Sequence, residues 1–366
     1  MPRHGTILLG FFLSSVLVFA KEPDRPPEDD LAAAARTASD VIRTHQKPEG
    51  YWLTWYTSAA RFQDPKPEMN TYLTSVMTDL MSPIAEATGL TEVVLRARKH
   101  LTEQIESTGL VRYHGRPVSA SISAGLGCVI TPDSDDTVLV WKIAPASDPG
   151  LLQRAIEVLK RYRTPEGLYQ IWLAPRSEFS CIDPGSDPNP PDAGVQLHAY
   201  LLLARADPPA ARALCGAMKK TIGEERLWVY CKVAPLESLL RRAEVRRAGC
   251  VLKIPETRLV TTVAGQDVWL DAARVLERLT NPGGPRPKVS DVAALLRTLA
   301  RDRFSAVRKS PPLLYHNDFT AGVSRFYWSE DFGYALWLRI YAESARNGSG
   351  RTAFFHGRPE NVVAHS

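Results

Sequence analysis

Two kinds of apolar pattern alternate along this chain. Leu31 to His45, Val93 to Ile105 and Leu151 to Tyr162 each carry apolar residues on one helical face and charge on the other. A glycine with an aromatic just beyond it follows each: Glu49-Gly50-Tyr51-Trp52, Gly109-Leu110-Val111-Arg112-Tyr113 and Glu166-Gly167-Leu168-Tyr169. Glycine suits the left-handed cap that ends many helices. After a loop comes a second, more uniformly apolar stretch: Tyr72 to Met81, Val138 to Ile143 and Val195 to Leu203. These are introduced by Pro67-Glu68-Met69-Asn70, Pro132-Asp133-Ser134-Asp135 and Pro191-Asp192-Ala193-Gly194. Proline followed by an acid starts a helix well, because the missing N–H costs nothing there and the carboxylate meets the helix dipole.

The pairs continue less clearly. Pro209 to Ile222 pairs with Pro235 to Ala248, Gln266 to Leu279 is another buried type, and Val289 to Phe304 pairs with Ser329 to Ala345. Cys250 to Val263 is rich in β-branched residues and reads as a small β-hairpin insertion. Amphipathic helices alternating with buried ones are what two concentric rings would require. The expected fold is therefore all-α, an α/α toroid over residues 31–346 with a C-terminal tail at 347–366. Its inner helices would begin near Glu68, Asp133, Asp192, Leu236, Gln266 and Ser329. An open helical solenoid would use the same pairs without closing.

Composition narrows the class. With 44% hydrophobic and 23% charged residues the chain is that of a folded protein. Its net charge of +5 is spread along the sequence, which excludes the gathered basic face of a nucleic-acid binder. Arg3 and His4 precede an uncharged apolar run, Ile7 to Phe19, with small or tolerated residues at Val18-Phe19-Ala20. That is the pattern of a secretory signal peptide over residues 1–20, its apolar run shorter than a bilayer span requires, with an uncleaved N-terminal anchor as the alternative. The protein is thus expected to be exported, periplasmic or secreted, with residues 21–30 a charged, Pro-rich disordered leader. Cys128, Cys181, Cys215, Cys231 and Cys250 form no zinc pattern. Export would permit a disulfide, and the odd count leaves at least one thiol over within a single chain.

Two short motifs carry a resemblance. Gln46-Lys47-Pro48-Glu49-Gly50-Tyr51-Trp52 reads Q-x-x-x-G-x-W and resembles the QW repeat of squalene–hopene and oxidosqualene cyclases. Degenerate copies lie near Gln104/Gly109 and Arg163/Gly167/Tyr169. Asp133-Ser134-Asp135-Asp136-Thr137 reads D-x-D-D-T and looks like the acidic motif of the same family, the class II terpene cyclases. The resemblance implies a toroid and an acid-initiated cyclisation of a small hydrophobic isoprenoid. It also implies that Asp135 donates the proton and that Asp133 and Asp136 support it. Family enzymes usually carry two helical domains, whereas this chain has room for one.

The residues themselves leave alternatives open. Crowded carboxylates cannot all ionise cheaply, so one would stay protonated, although the helix dipole opposes this. Asp133 could instead cap its helix while Asp135 and Asp136 are solvated, or the three could ligate a hard cation such as Mg²⁺. No other cofactor is indicated. Trp52, Trp55, Tyr56, Trp172, Trp228, Tyr230, Phe326, Tyr327 and Trp328 mostly fall near inner-helix starts. There they would stabilise a carbocation, stack on sugar rings, or simply pack. Asn70, His198, Glu330 and Asp331 are polar candidates for the same substrate site as Trp52, Trp55, Trp172 and Trp328; Glu68, His316 and Asp318 rank below them. His198, within an apolar helix, also reads as a satisfied core histidine. Two other functions fit this pattern. One is a carbohydrate-active α/α-barrel enzyme with opposed acids such as Asp135 and Glu330 about 5–10 Å apart. The other is a non-catalytic binding toroid. Association with a membrane surface stays open, and nothing indicates an oligomeric state.

Overall fold

The computed structural model describes residues 27–58, 62–116, 129–180, 189–281, 284–317 and 325–348. The expected signal peptide, the tail beyond residue 348, Cys128, Cys181 and Asp318 lie outside the described residues. In chain order come α1 (Pro27–His45), β1 (Leu53–Thr57), β2 (Lys66–Met69), α2 (Thr71–Met81), α3 (Thr91–Gln104), α4 (Ser134–Ile143) and α5 (Pro149–Arg161). Next are α6 (Arg176–Phe179), α7 (Ala193–Ala206), α8 (Pro208–Thr221), α9 (Leu236–Arg247), α10 (Asp267–Thr280) and α11 (Val289–Lys309). The last elements are β3 (Leu313–Asn317), β4 (Arg325–Trp328) and α12 (Glu330–Gly348). Within α11 the helix breaks at Arg301–Phe304.

The inner helices close on themselves. α2 packs on α4, α4 on α7, α7 on α9, α9 on α10, α10 on α12, and α12 returns to α2. This closure excludes the open solenoid. An outer layer of α1, α3, α5, α8 and α11 packs on α12, α2, α4, α7 and α12 respectively. Burial follows the expected contrast. Every residue of α7 from Ala193 to Leu203 is buried, whereas α5 buries only Ala155, Ile156 and Leu159.

Two glycines expected to cap outer helices lie instead in turns five residues beyond the ends of α1 and α3, where they are joints between neighbours. Gly50 has φ +105°, and a Cβ there would sit 2.5 Å from the Arg96 carbonyl oxygen of α3. Gly109, at φ +84°, would place a Cβ 2.2 Å from the Leu151 carbonyl oxygen of α5. Only glycine permits both the left-handed turn and the close approach of the next helix. Around the first joint, Gln46 Nε2 donates to the Gly50 and Val93 carbonyls at 3.0 and 2.9 Å, and Trp52 Nε1 donates to Ile42 O at 3.0 Å.

Several boundaries and one element differ from the sequence expectation: Pro67 and Glu68, read as opening an inner helix, lie in β2, and α2 starts only at Thr71. α1 begins at Pro27, inside the segment read as leader, because proline suits a first helical position and three acids follow it in sequence. α12 runs to Gly348, two residues past the expected end. Cys250 to Val263 forms no hairpin. Cys250 is bonded to Cys215 of α8, and Leu252, Ile254 and Leu259 dock singly into the core. Pro255 then leads into a 3₁₀ turn at Glu256–Arg258. The strands lie elsewhere, in a four-stranded antiparallel sheet of order β2-β1-β4-β3. β2 leads into α2 and β4 into α12. Because those helices are neighbours in the ring, the two hairpins meet and pair Trp55 with Trp328 and Tyr56 with Tyr327.

Candidate active site at one end of the ring

Capping chemistry positions the acidic cluster. Asp133 is the N-cap of α4 and accepts the Asp136 N–H at 2.8 Å. Ser134 Oγ donates to Gln170 O at 2.6 Å, and Thr137 Oγ1 accepts from Val111 N at 3.0 Å, locking the first turn to two flanking loops. Asp136 turns toward α2 and accepts the Thr71 hydroxyl proton. Asp135 turns the other way, to His198 Nδ1 on α7. The three carboxylates therefore serve three different partners. Asp133 and Asp136 are almost fully buried, whereas the Asp135 side chain is 22% exposed and faces a cavity. Among the described residues, no group of three or more His, Cys, Asp or Glu side chains converges as a metal cage.

Behind Asp135 runs a chain of buried charges. His198 Nε2 meets Glu237 Oε2 of α9 at 2.8 Å, and the other Glu237 oxygen accepts Arg241 Nε–H. Arg241 also donates to Asp79 of α2 and, at 2.7 Å, to Glu244. Lys142 of α4 bonds Asp79 and Glu244 at 2.7 Å each. Ion pairs thus tie four consecutive inner helices together.

The electrostatics follow from burial set against pairing. Burial pulls the His198 imidazolium down, but the charges of Glu237 and Asp135 and their hydrogen bonds outweigh it and push the pKa up to about 10. Burial likewise raises Glu237, but Arg241 and His198 bring it down to about 2. At neutral pH this is an imidazolium held between carboxyl groups. For Asp136, burial dominates over the Thr71 hydrogen bond and raises the pKa to about 7; Asp133 is pushed well up by burial and by the charge of Asp136.

The cavity is walled by aromatics and encloses about 930 Å³ of space between the atoms, open solvent at its mouth included. Tyr72, Tyr113, Trp172, Tyr230, Tyr315 and Tyr327 line it along with the acids. Tyr315 is the hub. It stacks on Tyr327 with centroids 4.3 Å apart and takes Tyr72 and Tyr230 edge-on at 5.5 and 5.9 Å. Asp192 fixes the Tyr230 loop by accepting Val229 N and Tyr230 N at 3.0 Å each; it also binds Gly194 N at 2.8 Å. Burial raises Asp192 to about 6, against those backbone hydrogen bonds.

The sequence candidates divide. Asp133, Asp135, Asp136 and Trp172 line this cavity. Trp55, Trp328, Glu330 and Asp331 line a separate one with His45, whose Nδ1 lies 2.7 Å from Asp331. Trp52 is fully buried between helices, and Asn70 is the N-cap of α2, so neither reaches either cavity. His198 is also fully buried: it holds Asp135 and does not contact the space in front of it. The expected substrate site is thus corrected to a smaller set. Tyr72, Tyr113, Tyr315 and Glu237 were not picked out, since each sits in an apolar or loop stretch with nothing local to mark it.

No protein-family model matches this sequence, and no curated protein matches it. Among solved structures, a variant of the type II terpene cyclase MstE from Scytonema, in complex with its substrate geranylgeranyl dihydroxybenzoate, is similar at 13% identity and a TM-score of 0.48. That match covers 88% of this chain and 99% of that one. The apo form of MstE is similar at 14% identity and TM-score 0.47, with 87% and 99% covered. A protein from Actinoplanes is similar at 14% identity and TM-score 0.47, with 86% and 99% covered. At such identities and scores, the fold and site of this chain rest on its own geometry.

Proposed function

We propose that this protein is an acid-initiated cyclase of the class II terpene cyclase type, acting on an isoprenoid alkene or epoxide. The observation that carries the reading is Asp135: a carboxyl facing an aromatic-walled cavity, with a buried imidazolium fixed behind it. In this reading a proton taken up on Asp135 Oδ2 is poised for transfer while Oδ1 accepts the His198 N–H, and Glu237 alone then supplies the charge opposite the imidazolium. The proton passes to a substrate carbon or epoxide oxygen, and the positive charge moves to the substrate. The carboxylate left behind faces the imidazolium, so the negative charge created in the transfer meets a preorganised opposite charge. Glu237 and Arg241 keep that imidazole charged and oriented. Tyrosine and tryptophan faces then stabilise the cation without supplying a nucleophile. The proton comes from a carboxyl group, so the reaction calls for no cofactor.

The D-x-D-D-T string fits this division of labour: Asp133 caps, Asp136 anchors to α2 and Asp135 acts. Glycoside hydrolysis by paired Asp135 and Glu330 is disfavoured, because those acids line different cavities. Export is proposed as well. The apolar run at residues 7–19 supports it, as does the Cys215–Cys250 disulfide, since such bonds persist in oxidising compartments.

The test is incubation of the purified protein with squalene and with farnesyl and geranylgeranyl esters, analysed for isomeric cyclic products. Asp135→Asn removes the transferable proton and keeps the size. Turnover should fall by about 10²–10⁴, with the fold intact by circular dichroism. An Asp135→Asn variant that cyclises as fast as the parent would sink the proposal.

A further inference from the structure

A second polar cluster reaches the same cavity from a neighbouring element. Glu68, at the end of β2, is 7% exposed. Its Oε1 accepts the Tyr113 hydroxyl proton and, at 3.3 Å, an Asn70 Nδ2 proton. Asn70 also donates to Tyr113 OH at 2.8 Å. Tyr113 OH and Tyr315 OH are hydrogen-bonded, and both rings line the cavity. Because Tyr113 gives its own proton to Glu68, Tyr315 is the donor in that pair. The result is a directed chain, Tyr315 to Tyr113 to Glu68. At its far end Glu68 Oε2 has no hydrogen-bond partner among the described residues and lies 3.6 Å from His114 Nε2; both His114 ring nitrogens are buried and likewise without a partner among the described residues.

We infer that Glu68 is the terminating base of the reaction, taking up through Tyr315 and Tyr113 the proton that the cyclised cation must lose. The inference rests on the cyclase reading. A cation made by protonation ends as a neutral alkene only when a base removes a proton, and the other carboxylates at the cavity are committed. Asp133 and Asp136 each spend one oxygen holding the first turn of α4 in place, Asp192 spends both oxygens on backbone N–H groups, and Glu237 is held by two cations. Asp135 is the donor. Glu68 is the remaining acid joined to the wall by hydroxyls, and it keeps an unused acceptor oxygen. Burying such a carboxylate in an apolar wall is costly unless it has work to do.

The step balances. A C–H bond next to the cationic carbon breaks, and its electron pair becomes the new C=C bond. That proton passes to the Tyr315 oxygen as the Tyr315 proton moves to Tyr113 and the Tyr113 proton moves to Glu68 Oε1. The alkene and Glu68 end neutral and Asp135 ends as a carboxylate. Glu68 then returns its proton through Tyr113 and Tyr315 to solvent at the cavity mouth, and Asp135 regains one there.

The experiment compares Glu68→Gln, Tyr315→Phe and Asp135→Asn on the substrates named above, in D₂O. Glu68→Gln and Tyr315→Phe should still consume substrate and incorporate deuterium. The parent alkene should fall at least about tenfold as a share of product, replaced by alcohols from water capture and by isomeric alkenes, with Glu68→Asp partly restoring it. Asp135→Asn should consume nothing. Parent alkene at the parent rate from both Glu68→Gln and Tyr315→Phe overturns the base assignment and leaves the cyclase reading standing. Turnover by Asp135→Asn, or no conversion of any substrate by the parent, overturns the cyclase reading and this inference with it. Should Glu68→Gln fail to fold, Tyr315→Phe decides alone, because it removes only a hydroxyl.

Discussion

Glu237 is the member of the buried chain whose loss is most informative, since it bonds one cation with each oxygen. Glu237→Gln keeps the shape, removes the charge and turns two N–H donors toward His198 or Arg241. Losing one partner of a buried ion pair costs about 3–5 kcal/mol. The rise of His198 from 6.5 to about 10 gives a second measure. At about 1.4 kcal/mol per pH unit it represents a net of roughly 5 kcal/mol, after the opposing effect of burial, from Glu237 and Asp135 together. A loss of about 3 kcal/mol is therefore expected near pH 6, which for a domain of this size lowers Tm by about 4–5 °C. The pH dependence has a definite sign. His198 is raised, so its stabilisation is complete below pH 6.5 and is lost as pH rises through about 10. Glu237 is lowered, so its contribution is complete above pH 4.5 and is lost as pH falls through about 2. The gap between parent and variant should be widest between those limits, near pH 5.5, and should narrow by pH 9. Urea unfolding at pH 5.5, 7.5 and 9 measures it. Equal stabilities at pH 5.5, or a gap that widens toward pH 9, would refute the reasoning.

Asp136 is raised from 3.8 to about 7, so its burial is free of penalty below pH 3.8 and becomes destabilising as pH climbs through 7. Asp136→Asn should therefore be more stable than the parent by about 2–4 kcal/mol at pH 8 and indistinguishable from it near pH 4; melting curves showing no gain at pH 8 would contradict this. The Cys215–Cys250 bond closes a 35-residue separation, for which chain entropy assigns about 4 kcal/mol. Cys215→Ser should melt lower by that amount and be insensitive to reductant, while the parent loses a similar amount on reduction; a parent unaffected by reductant would argue against the bond.

The beginnings of the inner helices were legible because capping is local chemistry. Asp133 and Asp192 stand as caps where the residues around them said a helix should start, whereas α2 begins three residues past Glu68, capped by Asn70, because Pro67 and Glu68 are drawn into β2. Alternation of amphipathic with uniformly apolar helices likewise pointed to two layers, since each stretch declares how many of its faces must be buried. Ring closure was beyond such reasoning: the contact of α12 with α2 joins the two ends of the chain, and the same pairs would serve an open array. The β-branched run at 250–263 shows the converse limit. Strand propensity forms a strand only where a partner edge is available, and partners arose instead where α2 and α12 brought two distant hairpins together.

The site divides along the same line. Three acids at a helix start were visible in the sequence, but which one faces the cavity depends on where α2 and α7 lie around α4. The partner that fixes Asp135 stands 63 residues away, and the partner of that partner a further 39. Aromatics near the helix starts were also visible, yet they split between two cavities. Side chains alternate across a strand, so Trp55 and Trp328 pair on one face of the sheet while Tyr56 and Tyr327 pair at the next register. Tyr327 thereby joins Tyr315 at the main cavity, and the two tryptophans are turned to the other. Local composition placed acids and aromatic rings near the starts of the inner helices. Strand pleat and the packing of α2, α7 and α9 around α4, both set by contacts between distant segments, decided which of them share a cavity.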